Sequence, residues 1–364
     1  MLMQKILRKF KNKRIIVTGH TGFKGSWLSL WLYLCGAKVM GLSNGILTKP
    51  SHFKSIKMSG RIISKKVDIC DVKKMKKIFL NFKPEFVFHL AAQSLVNKSY
   101  SNPIETYKSN TFGTLSVLES LKELKNKCVV VLITSDKSYK NLEIKRGYKE
   151  NDLLGGIDPY SSSKASAELI IQTYIKSFFS KKKNLSLAVA RAGNVIGGGG
   201  GDWSLDRLIP DCIKSWSKNK NVILRNPNST RPWQHVLEAL SGYLILSIQL
   251  SKNKKLNGEV FNFGPSNKKN YSVLNVVKNM KKDWKSVSWK VGKRNKTFYE
   301  SNLLKLNSIK AKKKLNWKCI LTFRETINLV ITWYKAFYGK KLDMENVSID
   351  QIRFYEKIFV KRIK

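Results

Sequence analysis

The most informative residues of the chain are Tyr160 and Lys164, the ends of the run YSSSK. Residues four apart lie on one face of a helix, so a helix that begins here brings the phenol and the ammonium group together. A neighbouring cation lowers the pKa of a phenol from its usual value of about 10 and makes the phenolate accessible. The spacing therefore predicts a tyrosine base that removes a proton from a substrate hydroxyl.

A second polar group, Ser135-Asp136-Lys137, follows an apolar run that predicts a buried strand. Ser135 is placed to hydrogen-bond the substrate oxygen that Tyr160 deprotonates. A simple reductase or epimerase needs no further acid and base here. An enzyme that removes water needs a proton donor for the leaving hydroxyl and a base for the adjacent C–H. Asp136 and Lys137 are candidates for these roles, and a surface ion pair is the alternative.

A glycine-rich loop, TGHTGFKG, lies near the N-terminus between an apolar strand and a helix. Gly19 allows a tight turn, Gly22 lets the backbone approach a pyrophosphate, and Gly25 lets the helix pack closely on the sheet. The N–H groups of the helix N-terminus then face the phosphates. The loop, with Thr21 and Phe23, predicts a dinucleotide site, and its spacing resembles that of the extended short-chain dehydrogenases/reductases.

The other parts of the cofactor site are less sharply defined. The second predicted strand runs into the letters SNG at positions 43–45, without the carboxylate that commonly holds an adenosine ribose, so the choice between NAD and NADP stays open. Asp68 and Ile69 follow the third strand and are candidates for the adenine site, although a helix cap explains Asp68 nearly as well. Three small or apolar residues after the next strand are placed along the cofactor: Leu90, Ala91 and Ala92.

Apolar runs separated by helical patterns predict an α/β fold with a Rossmann-type, doubly wound parallel sheet. We expect residues 1–190 to form the cofactor domain. Residues 191–364 are expected to form mainly a smaller, interleaved substrate domain, with segments near 222–245 returning to the first. The expected strands are Ile15–Val17, Lys38–Leu42, Glu85–Leu90, Val129–Thr134, Asn184–Ala190, Val222–Leu224 and Val260–Phe263.

Charge is the most unusual bulk property of the 364 residues, because 69 Lys and Arg against 24 Asp and Glu give a net charge of +45. Only 12 of these cations are Arg, the residue that suits bidentate phosphate and base contacts. The scattered lysines favour a solvated surface over a nucleic-acid-binding role. Four arginines fall in one short segment, which we interpret as the place of an anionic diphosphate: Arg191, Arg207, Arg225 and Arg231.

Several classes of protein lack support in the sequence. No run reaches the ~18 apolar residues that a membrane helix needs. The five Cys are odd in number and far apart without a CxxC, and the four His show no metal-ligand spacing. We therefore expect a cytoplasmic protein without a metal and without a membrane or nucleic-acid partner.

Together these motifs resemble the CDP-glucose 4,6-dehydratases, nucleotide-sugar-modifying members of the extended short-chain dehydrogenases/reductases. The Lys of TSDKSY is diagnostic, because the dTDP-glucose dehydratases carry Glu at that place. Asn97 departs from the family pattern, in which Arg is usual. The resemblance is carried by VTGHTGFKGSWLSLWL (17–32), HLAAQSLV (89–96), TSDKSY (134–139), DPYSSSKASAEL (158–169) and RNPNSTRPWQHVLEALSGYL (225–244).

The resemblance implies an NAD-dependent lyase that dehydrates CDP-glucose to CDP-4-keto-6-deoxyglucose for deoxysugar and surface-polysaccharide (O-antigen) synthesis, as a homodimer or higher homo-oligomer. In that scheme Tyr160, with Ser135 and Lys164, takes the C4 hydroxyl proton. Lys137 takes the C5 proton, and Asp136 protonates the leaving C6 hydroxyl. Tyr160 and Lys164 also contact the cofactor. The residues assigned to the nucleotide sugar are Gln93, Ser94, Asn194, Arg207, Arg225, Asn226 and Arg231.

Three alternatives stay open at this point. One is a dehydratase or epimerase for another nucleotide sugar, dTDP- or GDP-linked. The second, from a different class, is a basic nucleic-acid-binding protein on a Rossmann scaffold. The third is an NADP-binding redox sensor without turnover, which would need a broken Ser-Tyr-Lys set, whereas this chain has the set intact.

Overall fold

The computed structural model describes residues 2–204, 207–265, 271–284, 286–292 and 303–363. Strands and helices alternate through the first half of the chain. The strands are β1 (Arg14–Thr18), β2 (Lys38–Ser43), β3 (Ile63–Lys66), β4 (Phe86–His89), β5 (Cys128–Ile133), β6 (Leu185–Ala192), β7 (Val195–Ile196), β8 (Val222–Leu224), β9 (Thr230–Arg231), β10 (Gln234–His235), β11 (Val260–Phe263), β12 (Tyr271–Ser272) and β13 (Trp289–Val291).

The helices connect these strands and cover both faces of the main sheet. Short π-helical turns at Lys108–Phe112 and Ile175–Phe179 adjoin two of them. The helices are α1 (Leu2–Leu7), α2 (Phe23–Leu34), α3 (His52–Ser55), α4 (Val72–Phe82), α5 (Val96–Ser101), α6 (Pro103–Tyr107), α7 (Gly113–Lys122), α8 (Pro159–Tyr174), α9 (Leu208–Trp216), α10 (Val236–Lys252), α11 (Val273–Lys281), α12 (Ile309–Leu315), α13 (Phe323–Gly339) and α14 (Met344–Arg362).

Seven of the thirteen described strands form a parallel sheet in the order β11-β6-β5-β4-β1-β2-β3, which confirms the predicted Rossmann-type fold. The central strands are continuous apolar runs because both of their faces are buried. Ile15 and Val17 of β1 pack into the core beneath α2 and α10, whereas Ile16 packs into the opposite core beneath α4 and α7. The alternation of side chains along a strand thus divides one run between two cores.

The strand order reverses between β1 and β4, and this reversal decides where a ligand can enter. The connections from β1 and from β4 diverge to opposite sides, which leaves a crevice at the carboxyl ends of the strands. The glycine loop, the residues after β4 and the residues after β5 all lie at this edge of the sheet. The fold therefore gathers segments that are far apart in the chain.

The region after residue 190 contributes more to the main sheet than we expected. Val260–Phe263, predicted within the smaller domain, pairs with β6 as the edge strand of the main sheet. Val222–Leu224, predicted to return to the first domain, pairs instead with Trp289–Val291 in a separate two-stranded sheet. The C-terminal helix α14 packs on α2, where the Trp31 indole donates to the Glu356 carboxylate at 2.7 Å.

Neither membrane spans nor metal-binding clusters are found in the part of the chain that the structure describes. None of the helices there is long and apolar enough to cross a bilayer. No group of three or more His, Cys, Asp or Glu side chains in those ranges could hold a metal ion. The five cysteines are free thiols.

Candidate active site

A cavity of about 720 Å³ opens at the carboxyl ends of β1, β4, β5 and β6. It contains nearly every residue that the sequence marked as a candidate. Lys164 is the exception, because it lies one helical turn behind Tyr160 and is 7% exposed without lining the cavity. The candidates that line the cavity are Gly19, Thr21, Gly22, Phe23, Gly25, Asp68, Ile69, Leu90, Ala91, Ala92, Gln93, Ser94, Ser135, Asp136, Lys137, Tyr160, Asn194, Arg207, Arg225, Asn226 and Arg231.

The glycine loop fits a pyrophosphate group. Gly19 has φ +73°, and a Cβ there would come within 2.8 Å of the Ala91 backbone. A Cβ on Gly25 would come within 2.1 Å of the Gly19 carbonyl oxygen. Gly22 caps α2 without a side-chain hydrogen bond, so the first N–H groups of the helix face the cavity with no side chain competing for them.

A buried hydrogen-bond chain fastens the segment after β4 to this loop. The Thr18 hydroxyl accepts from the N–H groups of Leu90 at 3.1 Å and Ala91 at 3.2 Å. Its own proton therefore points to Nδ1 of His89, 2.8 Å away, which leaves Nε2–H to donate to the Thr114 hydroxyl at 3.1 Å. Burial lowers the pKa of His89 to about 3 and keeps the ring neutral. His89 therefore helps to hold the segment after β4 in place and is not a reacting group.

The hydrogen bonds of Asp68 distinguish its two interpretations, a helix cap or a residue of the adenine site. Asp71, not Asp68, caps α4, since its carboxylate accepts from the Lys74 N–H at 3.0 Å. Asp68 instead accepts from the Cys70 N–H at 2.9 Å and lines the cavity. At the end of β2 the cavity is lined by the predicted Ser-Asn-Gly segment at 43–45, which carries no carboxylate.

The catalytic helix α8 begins at Pro159, as the YSSSK spacing predicts. Asp158 caps it, accepting from the Ser161 N–H at 2.9 Å and from the Ser161 hydroxyl at 2.6 Å. Proline at the first helical position loses no hydrogen bond there. Tyr160 is 8% exposed and lies in the first turn, so the cap fixes the direction of its ring.

The electrostatics of Tyr160 differ from the expectation that Lys164 lowers its pKa. Burial raises the pKa of Tyr160, and the leading opposing groups are the Ser135 hydroxyl and the Arg207 guanidinium. Burial, with the charge of Lys24 as the next contribution, lowers the pKa of Lys164 to about 7. A lysine that loses its proton this easily is a weak source of positive charge for its neighbour, which explains the difference.

Asp136 and Lys137 begin the short turn after β5, and Ser135 holds that turn. The Ser135 hydroxyl donates to Oδ1 of Asp136 at 3.0 Å and accepts from the Lys137 N–H at 3.2 Å. Burial raises the pKa of Asp136 and lowers the pKa of Lys137, although each charge opposes the shift of the other. Both shifts favour the neutral forms, a protonated acid beside an unprotonated amine. The prediction of a solvent-exposed ion pair is therefore not supported, because Asp136 is 3% exposed.

Gly193 makes room for the Asp136 carboxyl group. A Cβ at this position would lie 1.8 Å from Oδ2 of Asp136. The Gly193 carbonyl accepts from the Gln234 side-chain amide at 3.2 Å, and the same amide donates to the Phe263 carbonyl at 2.8 Å. Gln234 thus ties the loop after β6 to β11. Its neighbour His235 caps α10, with Nδ1 accepting from the Leu237 N–H at 3.4 Å.

The four arginines of the short segment do not stay together. Arg207, Arg225 and Arg231 line the cavity, and Arg207 donates to the Ser94 carbonyl at 2.5 Å. Arg191 forms a buried ion pair with Glu168 of α8 instead, with side chains 1% and 0% exposed. The three arginines assigned to the nucleotide sugar are thus the ones that line the cavity, and Arg191 of the same segment does not. Tertiary packing brings Glu168 to it, and the local sequence around Arg191 gives no sign of this.

Three residues of the site were missed by sequence reasoning. Asp158 had a readable signal, because an acidic residue before proline is typical of a helix start. Gly193 had none, since its role depends on a side chain 57 positions earlier. Lys24 is one of 57 lysines and is distinguished only by the fold, which turns its side chain into the cavity.

The sheet, the glycine loop and the Ser-Tyr-Lys set define an extended short-chain dehydrogenase/reductase. The family described as GDP-mannose 4,6 dehydratase matches residues 16–330, most of the chain. The chain therefore belongs to this family, whose 4,6-dehydratases are hydro-lyases.

Individual relatives agree with this placement. The CDP-glucose 4,6-dehydratase of Salmonella typhimurium is 45% identical over 333 residues, which cover 90% of this chain and 92% of the relative. The epimerase Mth375 of Methanothermobacter thermautotrophicus has a TM-score of 0.81 at 22% identity, covering 94% of this chain and 98% of its own. The UDP-glucose 4-epimerase of Thermus thermophilus, solved with NAD, has a TM-score of 0.76 at 20% identity, covering 88% and 99%. At 22% and 20% sequence identity, these two structures support the fold assignment alone.

Proposed function

We propose that this protein converts CDP-glucose to CDP-4-keto-6-deoxyglucose and water, with NAD bound at the glycine loop. The observation that carries the proposal is the buried Asp136–Lys137 turn within the same cavity as Tyr160. An enzyme that only oxidises and reduces C4 has no use for this second acid and base. The 45% identity to the Salmonella enzyme supports the choice of substrate.

The cavity fits a nicotinamide dinucleotide. Gly19 and Gly25 leave room that a Cβ would fill, and α2 begins without a side-chain cap. When bound, the cofactor supplies a reversible hydride acceptor that takes the C4 hydride and returns it to C6. We assign Asp68 and Ile69 to the adenine and the Leu90–Ala92 segment to a ribose. NAD rather than NADP is part of this proposal, and the segment 43–45, which lines the cavity, would hold the adenosine ribose.

The protein side chains supply the proton transfers. Tyr160 takes the C4 hydroxyl proton, and the Ser135 hydroxyl binds the same oxygen as charge develops on it. Lys137 takes the C5 proton, which the C4 ketone makes acidic. Asp136 gives its proton to the C6 hydroxyl as the C6–O bond breaks, and water leaves. Lys137 then returns a proton to C5 as the hydride reaches C6.

We assign the nucleotide end of the substrate to the cationic wall of the cavity. Arg207, Arg225 and Arg231 face the diphosphate in this assignment, which matches guanidinium geometry to phosphate oxygens. Asn194 and Asn226 supply amide groups, and Gln93 and Ser94 contact the sugar. The Gln93 side chain is held in one orientation, because its amide nitrogen donates to the Leu95 carbonyl and the Thr106 hydroxyl, both at 3.0 Å.

We include a homodimer in the cytoplasm in the proposal. Phe112 and Leu169 lie on the outer side of the α7 and α8 region and are 59% and 55% exposed, which supports a surface covered by a second copy. Five free thiols fit a reducing compartment.

Incubation of the purified protein with CDP-glucose, dTDP-glucose and GDP-mannose tests the proposal. A 4-keto sugar absorbs near-ultraviolet light in alkali, so each reaction is followed at quenched time points with added NAD or NADP. We expect product from CDP-glucose with NAD, and none from Tyr160→Phe under the same conditions. Product from another sugar alone would move the assignment to that nucleotide. No product from any of the three would overturn the proposed function.

A further inference from the structure

Lys24 is a third lysine of the site. It is the second residue of α2, and its side chain lines the cavity rather than extending into solvent. The ammonium group lies 5.9 Å from the centroid of the Tyr243 ring, which is completely buried in α10. A cation over an aromatic face is attracted by the ring, so Tyr243 holds the lysine on the catalytic side of the glycine loop.

The groups that face Lys24 come from every element packed around it. Asp136 attracts its charge, whereas Arg207 and Lys164 repel it. Lys24 therefore has one carboxylate partner among these neighbours, and that partner is the proposed acid. The titratable and charged side chains of this part of the cavity are Asp136 and Lys137 after β5, Tyr160 and Lys164 of α8, Arg207 before α9, Arg231 of β9 and Tyr243 of α10.

The Asp136 carboxyl group needs such a neighbour. Oδ1 accepts from Ser135, but Oδ2 is buried without a hydrogen-bond partner among the described residues. A buried carboxylate with an unmet oxygen is costly when ionised. Giving up its proton creates this costly form, so a cation at the right place lowers the barrier to proton transfer.

We propose that Lys24 is a positioning residue for dehydration, and that its ammonium group stabilises the Asp136 carboxylate that remains after proton transfer to the leaving hydroxyl. The inference rests on the proposed function. In the step concerned, the Asp136 proton moves to the C6 oxygen, the C6–O bond breaks and water leaves. The electrons of the C5–H bond form the C5–C6 double bond, and Lys137 holds the C5 proton. Lys24 and Asp136 line the same cavity, and Asp136 is the carboxylate that attracts the Lys24 charge.

The charge of Lys24 acts on the pKa of Asp136 more than on the pKa of Lys137, and this difference can be tested. Lys24 lowers the pKa of Asp136 and the pKa of Lys164, whereas the groups that act most on the pKa of Lys137 are Asp158, Asp136, Arg231 and Arg207. Dehydration needs Asp136 protonated, so turnover falls as pH rises through its pKa. Burial lowers the pKa of Lys24 itself to about 8, so Lys24 acts on Asp136 as a cation below that pH. Removing this cation raises the pKa of Asp136 and moves the alkaline limb of the pH–rate profile to higher pH. The acidic limb, which reports the proton of Lys137, stays in place.

The experiment compares Lys24→Met with wild type, with Lys24→Arg as the charge-keeping rescue. Lys38→Met is the matched control, because this exposed lysine begins β2 at the opposite end of the sheet. For Lys24→Met we expect kcat to fall about tenfold, since one electrostatic contribution to the acid is lost while the acid stays. We expect the alkaline limb of kcat to move to higher pH, because one of the cations that lower the pKa of Asp136 is lost. Lys24→Arg restores both values toward wild type.

A second readout separates this role from a loss of folding. When CDP-glucose is mixed with Lys24→Met, C4 oxidation continues while water loss is slowed, so the absorbance of the reduced cofactor builds up beyond the wild-type level. A purely structural defect lowers turnover without this build-up and without moving one limb alone, and that result would overturn the inference. Absence of product with wild-type protein would instead overturn the proposed function.

Discussion

Two acid–base pairs, Glu168–Arg191 and Asp136–Lys137, lie near the carboxyl ends of β5 and β6, and they are built in opposite ways. Glu168 and Arg191 are fully satisfied. The Arg191 Nε lies 2.9 Å from both carboxylate oxygens, and the Thr134 hydroxyl donates to Oε1 at 2.7 Å. In the described part of the chain, the Asp136 and Lys137 side chains form no ion pair, and Oδ2 of Asp136 has no hydrogen-bond partner.

We interpret the Glu168–Arg191 pair as structural and the Asp136–Lys137 pair as the one proposed to react. The Glu168–Arg191 pair joins α8 to β6 outside the cavity lining, where hydrogen bonds occupy both groups. An unsatisfied buried pair is driven toward its neutral forms, which are the forms that can give and take a proton. The contrast between these neighbours is the physical basis for assigning Asp136 and Lys137 to dehydration.

We expect the largest effect from a substitution that disrupts the Asp136–Lys137 pair. Asp136→Asn removes the proton donor while keeping the shape of the side chain, so we expect turnover to fall by about 10⁴-fold, the upper range for a general acid. Thermal stability should stay at the wild-type value or rise, because a costly buried acid has gone. Steady-state rates and a melting curve check both, with Asp71→Asn, which keeps a helix cap, as the control. A folded Asp136→Asn variant with normal turnover would remove the acid assignment.

We expect the next largest effect from a substitution that disrupts the Glu168–Arg191 pair. Glu168→Gln leaves the Arg191 guanidinium buried without a counter-charge, so we expect a loss of about 3 kcal/mol in the free energy of unfolding. Denaturant titration measures this loss. The double variant Glu168→Gln/Arg191→Met should regain much of it, because no unpaired charge remains. Equal stability of the single variant and wild type would show that the pair has no structural role.

We expect the smallest effect from a substitution that moves the Asp136 carboxyl group without changing its chemistry. Gly193→Ala places a methyl group where Oδ2 of Asp136 lies, at 1.8 Å, and the carboxyl group must shift. We expect about a tenfold loss of turnover at unchanged fold, because small misplacements of a reacting group are costly. Gly339→Ala is the control, since no heavy atom lies within 4 Å of a Cβ there. Unchanged kinetics for Gly193→Ala would mean that the position of Asp136 is not critical.

The sequence predicted much of the fold because strand burial and the glycine loop are local properties. The strand predicted at Val129–Thr134 is observed at Cys128–Ile133, and the helix that carries Tyr160 begins where its spacing indicates. The edge strand at Val260–Phe263 was placed in the wrong domain, since a short apolar run does not specify its partner. Pairing of strands distant in the chain depends on the whole fold.

The residues of the candidate site also fall into two groups, those predictable from local sequence and those placed by contacts between distant elements. Residues in contiguous motifs reach the cavity as expected, because the loop and the helix that carry them are built locally. The partner of Arg191 and the position of Lys24 could not be inferred, since each depends on residues from other elements. Charge counting in particular could not separate one cavity lysine from the lysines of a solvated surface.

The most direct test of the account is the fate of the C5 hydrogen in Lys137→Met. The variant is mixed with CDP-glucose and NAD in deuterated water, while the absorbance of the reduced cofactor and deuterium at C5 are followed together. We expect C4 oxidation to persist slowly, no deuterium to enter C5 and no 4-keto-6-deoxy product to form. Normal deuterium incorporation and product formation in a folded Lys137→Met variant would contradict the assignment of dehydration to the unsatisfied pair.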